Sequence, residues 1–278
     1  MAQANQIQVK FSLLNSGNIR SFERFLQSSG RFRLVDMPVT FGLIEHPVHG
    51  VGLFDTGMTA RFNYLTQGLQ PRRLYRLVTP MKFNPEWSPV NQLRKRGIEP
   101  EQVDWIVLSH FDYDHICGLP DFPRARIFCH DEGWRAVRGK TGWDAVKVRV
   151  LPEMLPWNMA ARIEPIAHFS TPLLDELPPG HDLFGDGSVV LVPLLGHAAG
   201  HIGALLATDQ GPVLLVGDAC WNLEGLRNGD STPHQMIAWN REDQHQTSVL
   251  LQKLIEQRPD LPVIPTHCIE AWTRWGQL

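Results

Sequence analysis

The sequence predicts an α/β fold in which two packed β-sheets carry helices on their outer faces, an αββα sandwich of four layers. The first observation behind this prediction is the order of the elements. Strand-like apolar runs open each half of the chain, and helical patterns follow. Because the apolar faces of sheets and helices each need a cover, that order favours two sheets packed together with helices outside. The second observation is that Asp or His follows directly on apolar strands at several separate places.

The first half begins with three predicted strands, IQVKFSLL, RLVDMPVTFGLIE and VGLFDTG. A short helix is predicted over SPVNQLRKRG, because Ser88 can cap it, Pro89 fits its first position and Gly97 suits its exit. The apolar run WIVLS then predicts a buried strand. A polar, Pro-rich segment, residues 61–87, lies between the third strand and this helix, and for it we predict either a substrate cover or a dimer contact.

The second half repeats the theme. SVVLVPLLGH and ALLATDQGPVLLVGDA predict a strand series with a turn at DQGP. SVLLQKLIEQRP predicts an amphipathic helix that ends before Pro259, and LPVIPTHC predicts a last short strand. We therefore expect a single domain over residues 1–278, built from two similar halves at about 1–170 and 185–278.

Composition excludes several classes of protein. The chain has 278 residues, 43% hydrophobic and 20% charged, with a formal net charge of −3, which gives no reason to expect nucleic acid or an anionic membrane as partner. No apolar run approaches the roughly 20 residues of a membrane helix, and the start, MAQANQIQVKF, lacks the pattern of a secretory signal. The four cysteines form no C-x-x-C pair, so we expect free thiols and a cytoplasmic protein.

Five short motifs place Asp or His just past an apolar strand, where loops carry function on a rigid scaffold. They are FDTG at 54–57, HFDYDH at 110–115, LLGHAAGH at 194–201, VGDA at 216–219 and THC at 266–268. Imidazoles and carboxylates together suit zinc, iron or manganese. The sequence therefore predicts a metal site at the rim of the sheets.

In order and type, these motifs resemble the metallo-β-lactamase superfamily, whose signature is H-x-H-x-D-H followed by a Gly-His, an Asp and a final His. Within it, LRKRGIEPEQVDWIVLSHFDYDH is similar to the N-acyl-homoserine lactonase branch. The resemblance implies two divalent metal ions, zinc first, with iron or manganese as alternatives. The implied ligands are His110, His197 and Asp112 for one ion, Asp114, His115 and His267 for the other, and Asp218 between them. Asp55 and His201 are expected to support ligands rather than to bind metal.

The function implied by the resemblance is hydrolysis of a small ester or lactone, N-acyl-homoserine lactones among them, by a hydroxide held between the metals. The residues expected to take part in catalysis are Asp114, Asp218 and Trp221. Two alternatives stay open: a di-iron or mononuclear-iron oxidoreductase on the same fold, and a metal-holding sensor or binding protein without activity.

Two positions depart from the family pattern. The family has His where this chain has Asp112, and the lactonase branch has Tyr where this chain has Trp221. Aspartate is shorter than histidine, so Asp112 either reaches the metal or holds a water molecule. A third carboxylate would make a dinuclear centre with one hydroxide neutral, and such a centre should favour harder metals.

Overall fold

The computed structural model of the protein describes residues 7–67, 73–230 and 237–276. In these ranges the strands are β1 (Lys10–Phe22), β2 (Leu34–His46), β3 (Gly50–Phe54), β4 (Met81–Lys82), β5 (Val103–Val107), β6 (Arg126–His130), β7 (Ile163–Ile166), β8 (His181–Asp182), β9 (Val189–Pro193), β10 (Ile202–Thr208), β11 (Gly211–Gly217) and β12 (Val263–Pro265). The helices are α1 (Arg61–Leu65), α2 (Arg73–Val78), α3 (Pro89–Arg94), α4 (Tyr113–Ile116), α5 (Asp131–Val137), α6 (Gly142–Lys147), α7 (Met159–Arg162), α8 (Leu223–Arg227), α9 (Arg241–Gln257) and α10 (Ile269–Trp275).

The strands form two sheets. One sheet has the order β4-β1-β2-β3-β5-β6-β7 and the other β12-β11-β10-β9-β8. The run β3, β5, β6 and β7 is parallel, and so is the pair β11 and β12. Because parallel strands end at the same edge of a sheet, residues that follow β3 and β5 lie together, and so do residues that follow β11 and β12.

Successive side chains of a strand point to opposite faces of its sheet, so each sheet packs against a different layer on each face. Ile106 and Val107 are neighbours in β5 and both are fully buried, yet they point to opposite faces of the sheet. Ile106 packs in a cluster with Leu93 of α3, whereas Val107 packs in a cluster with Leu191 of the second sheet. The second sheet packs against α9, whose Leu251 is fully buried in that same second cluster. The predicted four-layer αββα sandwich is therefore confirmed.

Local signals in the sequence explain two helix starts. Ser88 caps α3 as predicted, because its hydroxyl accepts the backbone N–H of Asn91 at 3.3 Å. The amphipathic helix begins at Arg241 rather than Ser248, so the predicted start was wrong. The side chain of Asn240 caps the earlier start by accepting the backbone N–H of Glu242 at 3.0 Å. The polar first turns of this helix carry no apolar stripe that periodicity could detect.

The segment 61–87 packs over the loop that follows β5. Residues 68–72 lie outside the described ranges. On either side of them, Phe62 stacks on Tyr113 with ring centroids 5.1 Å apart, and Tyr75 meets the same ring edge-on at 5.0 Å. The hydroxyl of Thr79 also shares a hydrogen bond with the Tyr113 hydroxyl. Because Tyr113 lies between Asp112 and Asp114, this segment packs beside the candidate site, and its role as substrate cover or dimer contact stays a prediction.

No helix within the described ranges is both long enough and apolar enough to cross a membrane.

Candidate metal centre

Seven buried side chains converge where the two sheets present their strand ends. His110 and Asp112 lie in the loop after β5, Asp114 and His115 lie on α4, His197 lies between β9 and β10, Asp218 follows β11, and His267 follows β12. Each is at most 7% exposed. The structure thus brings together every metal-binding residue that the motifs predicted.

One group faces Asp112. The carboxylate oxygen Oδ2 of Asp112 lies 3.5 Å from Nε2 of His110 and 3.4 Å from Nε2 of His197. The ligand atoms of these three residues all lie within 4.8 Å of one another. A metal ion between them would have two imidazole nitrogens and one carboxylate oxygen as ligands.

A second group surrounds Asp114. Its Oδ2 lies 3.2 Å from Nε2 of His267 and 3.8 Å from Nε2 of His115. Asp218 joins the two groups, because its Oδ1 lies 3.2 Å from Nε2 of His115 and its Oδ2 lies 3.6 Å from Nε2 of His197. One carboxylate that faces both groups is the arrangement that a bridge between two ions requires.

Unpartnered polar atoms support the fit to metal. Among the described residues, Nε2 of His110, Nε2 of His115 and Oδ1 of Asp218 are buried without a hydrogen bond. Buried polar atoms are normally hydrogen-bonded, because leaving one unpaired costs about 1–3 kcal/mol. Three such atoms pointing into one cluster are accounted for if they are metal ligands. The residues present therefore fit a dinuclear centre.

The protein holds the far side of three of the histidine rings. Nδ1 of His115 donates to Oδ2 of Asp55 at 2.8 Å, and Nδ1 of His267 donates to the carbonyl of Pro38 at 2.9 Å. The Ser109 hydroxyl donates to the same Asp55 carboxylate at 2.8 Å and lies 2.9 Å from Nδ1 of His110. In the neutral form that binds metal, the proton stays on Nδ1 and the Nε2 lone pair faces the cluster. Asp55 thus takes the supporting place expected for it, with a backbone φ of 61°.

His201 also lies beside the centre without facing it as a ligand. Its Nε2 accepts the backbone N–H of Asp218 at 3.1 Å, which fixes the position of that carboxylate. This is the structural role that the sequence predicted. Two features explain the glycine before Asp218. Gly217 has φ +53, and a Cβ there would lie 2.9 Å from Nε2 of His201.

Sequence reasoning missed Arg149. Its Nε donates to Oδ2 of Asp112 at 2.6 Å, and its Nη2 donates to the carbonyl of His197 at 2.8 Å. Burial raises the pKa of the Asp112 carboxyl, but the charge of Arg149 and the neighbouring rings outweigh burial and hold it well below its usual range. The expectation of a neutral centre omitted this cation, so it needs correction. No motif marks Arg149, which lies 37 residues from Asp112 in the chain.

Trp221 touches the centre through a carboxylate. Its indole N–H donates to Oδ2 of Asp218 at 2.8 Å. Its side chain and that of His267 also line a cavity of about 290 Å³, together with the apolar side chains of Leu26, Val35 and Ile269. The cavity opens beside the second group of ligands, where a substrate can approach.

Within the described residues, the cysteines and one further histidine group stay outside the cluster. The four cysteines are free, as predicted, and buried. His46, His49 and Asp186 form a further group near the turn between β2 and β3, at the opposite end of β3 from Asp55. Nδ1 of His46 accepts the backbone N–H groups of Val48 and His49, and its Nε2 lies 2.9 Å from the Ser188 hydroxyl. Both ring nitrogens are therefore engaged, and this group is structural.

Metal uptake should release protons. Burial lowers the pKa of His267, but the charges of Asp218 and Asp114 outweigh it and raise this pKa to about 10. For His115 the carboxylates of Asp218 and Asp55 likewise outweigh burial and hold the pKa well above its usual value. Since a ligating imidazole must be neutral, zinc uptake by metal-free protein near pH 7 should release about two protons per chain. Because protons compete below these pKa values, affinity should rise with pH towards about 10.

The measurement is a zinc titration of metal-free protein in weakly buffered solution with a pH indicator. His267→Ala is the matched control: it should lose the ion that His115 and His267 share, so neither ring is deprotonated and about two protons fewer should be released. Zinc uptake without proton release would contradict this prediction.

Comparisons with known proteins agree with this geometry. A family model described as metallo-beta-lactamase superfamily matches residues 34–267. A Mycobacterium tuberculosis protein named probable metallo-hydrolase is 28% identical over 242 residues, covering 78% of this chain and 71% of that protein. N-acyl homoserine lactonase AiiB of Agrobacterium fabrum is 29% identical over 224 residues, covering 76% and 77%.

A solved structure shares the fold. It is an N-acyl homoserine lactone hydrolase with the product N-hexanoyl-L-homoserine bound at its catalytic metal centre. It matches with a TM-score of 0.74 and 20% identity, covering 97% of this chain and 96% of that one. With a family model that spans most of the chain and the two-sheet fold in common, the protein belongs to the metallo-β-lactamase superfamily and is a hydrolase of that fold.

Proposed function

We propose that the protein hydrolyses a small ester or lactone at a dinuclear metal centre. The observation that carries the proposal is the carboxylate of Asp218, which faces His115 with one oxygen and His197 with the other. The relatives named N-acyl homoserine lactonase support a lactone as substrate. Two divalent ions, when bound, supply an activated water and polarise the carbonyl under attack.

The protein's own residues have distinct proposed roles. Asp218 fixes the spacing of the two ligand groups. Asp114 lies against His267 with its Oδ2 at 3.2 Å, at the side of the centre nearest the cavity. We assign to it the relay of a proton, which its ionised carboxylate takes from the attacking water and gives to the departing alcohol oxygen. Trp221 orients the Asp218 carboxylate and presents its indole ring to the substrate.

The cavity supports a small substrate. Its volume of about 290 Å³ lies just below the range for ligand sites, which is about 300–1,000 Å³. Leu26, Val35 and Ile269 offer an apolar surface, whereas the paired side chains of Glu23 and Arg33 stand at its edge. This lining fits a short apolar substituent next to the carbonyl that reacts.

A panel of lactones and esters tests the proposal. Zinc-loaded, manganese-loaded and iron-loaded protein should open one or more small lactones or esters, and His267→Ala should be inactive towards the same compounds. Loss of activity in every metal form, together with a visible absorption spectrum of bound iron in protein as isolated, would instead support the oxidoreductase. The third carboxylate, Asp112, is the feature that favours that second candidate.

Trp221→Phe should lower kcat by about tenfold with little change in metal content. The change keeps an aromatic ring but removes the N–H that Asp218 accepts at 2.8 Å, and hydrogen bonds to charged groups contribute about 1.5–3 kcal/mol. The measurement is steady-state kinetics with the best substrate of the panel. Trp157→Phe is the control, since that side chain is 96% exposed. Equal kcat in the parent and Trp221→Phe would show that the indole N–H has no part in catalysis.

A further inference from the structure

One carboxylate oxygen of Asp112 lies close to two histidine rings and to one arginine side chain. Its Oδ2 faces Nε2 of His110 at 3.5 Å and Nε2 of His197 at 3.4 Å. The same atom accepts the Arg149 Nε–H at 2.6 Å. The oxygen placed to bind a metal is therefore also the oxygen that a guanidinium holds.

Arg149 is built into this position by several contacts. Its Nη2 donates to the carbonyl of His197 at 2.8 Å, and its Nη1 donates to the carbonyl of Ile237 at 2.9 Å. Its backbone has φ 56°, a left-handed conformation that costs a non-glycine residue on the order of 1–2 kcal/mol. Arg149 and Asp55 are the two non-glycine residues with positive φ in the described chain, and both touch groups that hold the centre. The side chain of Arg149 is 25% exposed, so water screens the pair little.

We propose that Asp112 and Arg149 form one neutral metal-binding unit that takes the place of the imidazole at position 112 in the family. Asp112 supplies the ligand oxygen. Arg149 cancels the charge of that ligand and fixes its direction towards His110 and His197. Arg149 is thus a positioning residue that acts through Asp112. The centre keeps the charge it would have with a neutral imidazole.

The unit has a consequence opposite to the one that the sequence suggests. The motif alone predicts that Asp112→His restores the family pattern and therefore strengthens zinc binding. With Arg149 in place, the same change leaves a guanidinium unpaired beside two cations. An uncompensated charge in a buried site is strongly unfavourable. Metal binding should therefore weaken in Asp112→His and recover when Arg149 is also made neutral.

Cobalt(II) binding tests the proposal without reference to any substrate. Metal-free parent, Asp112→His and Asp112→His/Arg149→Gln are titrated with cobalt, and stoichiometry and affinity are read from visible absorption with a competing chelator. Asp112→His should bind about tenfold more weakly or worse. Arg149→Gln in that background should restore affinity to within about threefold of the parent. Asp112→Asn with and without Arg149→Gln is the size-matched pair, which should show the same gain and covers a failure of the histidine variants to fold.

Arg126→Gln in the Asp112→His background is the control, because Arg126 pairs with Glu164 at an exposed site. It should leave cobalt affinity unchanged. A purely structural Arg149 would make Arg149→Gln lower affinity further in the His and Asn backgrounds, and that result would overturn the proposal. So would tighter binding by Asp112→His alone. Arg149→Gln alone is titrated in the same way, and a rise from one to two cobalt ions in it would also overturn the proposal, since Arg149 would then withhold Asp112 from the metal. Because no substrate is involved, failure of the lactone panel leaves these outcomes unaffected.

Discussion

Asp218→Ala is expected to release both metal ions and to lower kcat/KM by about 10⁴-fold or more. The carboxylate of Asp218 faces both ligand groups, lying 3.2 Å from Nε2 of His115, 3.3 Å from Nε2 of His267 and 3.6 Å from Nε2 of His197. Without it, each group loses one ligand and the two cations lose the negative charge between them. The measurement is metal content by elemental analysis, followed by activity with excess metal.

His267→Ala is the comparison, because it removes a ligand from the second group alone. It should lose one equivalent of metal and keep the other. Retention of two equivalents by Asp218→Ala would refute the bridging assignment. Loss of a single equivalent by Asp218→Ala would show that its carboxylate holds one ion only.

Gly196→Ala is expected to lower the free energy of unfolding by about 3–5 kcal/mol and to weaken metal binding. Gly196 has φ +124, and a Cβ there would lie 2.2 Å from the backbone nitrogen of Gln244 in α9. The backbone N–H of Asn240 donates to the Gly196 carbonyl at 3.0 Å, and that of Trp239 donates to the His197 carbonyl at 3.0 Å. Relief of the clash must therefore move the start of α9 or the loop that carries His197.

Gly211→Ala is the control that measures the stability cost of a positive φ without a steric clash. Gly211 has φ +110, yet a Cβ there would have no atom within 4 Å. This control should lose about 1–2 kcal/mol of stability and bind metal normally. Chemical denaturation of the metal-free proteins gives the stabilities, and a zinc titration gives the affinities. Similar losses of stability and of zinc affinity in Gly196→Ala and Gly211→Ala would show that the clash with α9 is not their cause.

The sequence predicted which side chains converge better than it predicted their surroundings. His110, His115 and His267 were identifiable because each follows an apolar strand in a spaced motif, and the parallel strands then bring their ends together. Arg149 was not identifiable, because its side chain reaches Asp112 from a loop after α6 and carries no local pattern. Only the folded chain shows which cation a buried carboxylate meets.

The same limit applies to Trp221. The motif predicted that this residue lies beside Asp218, and the structure places it there. Its hydrogen bond to Oδ2 of Asp218 depends on the path of the chain between β11 and α8, which no periodicity describes. The family pattern suggested contact with the substrate, and the hydrogen bond adds a role in orienting the Asp218 carboxylate.

The origin of the ligands also bears on how the protein matures. The first sheet supplies the residues between 110 and 115, and the second sheet supplies His197, Asp218 and His267. Each group of ligands contains members from both sheets. On the proposed ligand assignment, neither half of a growing chain captures an ion tightly by itself, and metal loading follows the docking of the two sheets. Once loaded, the ions link the sheets through coordinate bonds, so free metal stabilises the assembled domain by mass action.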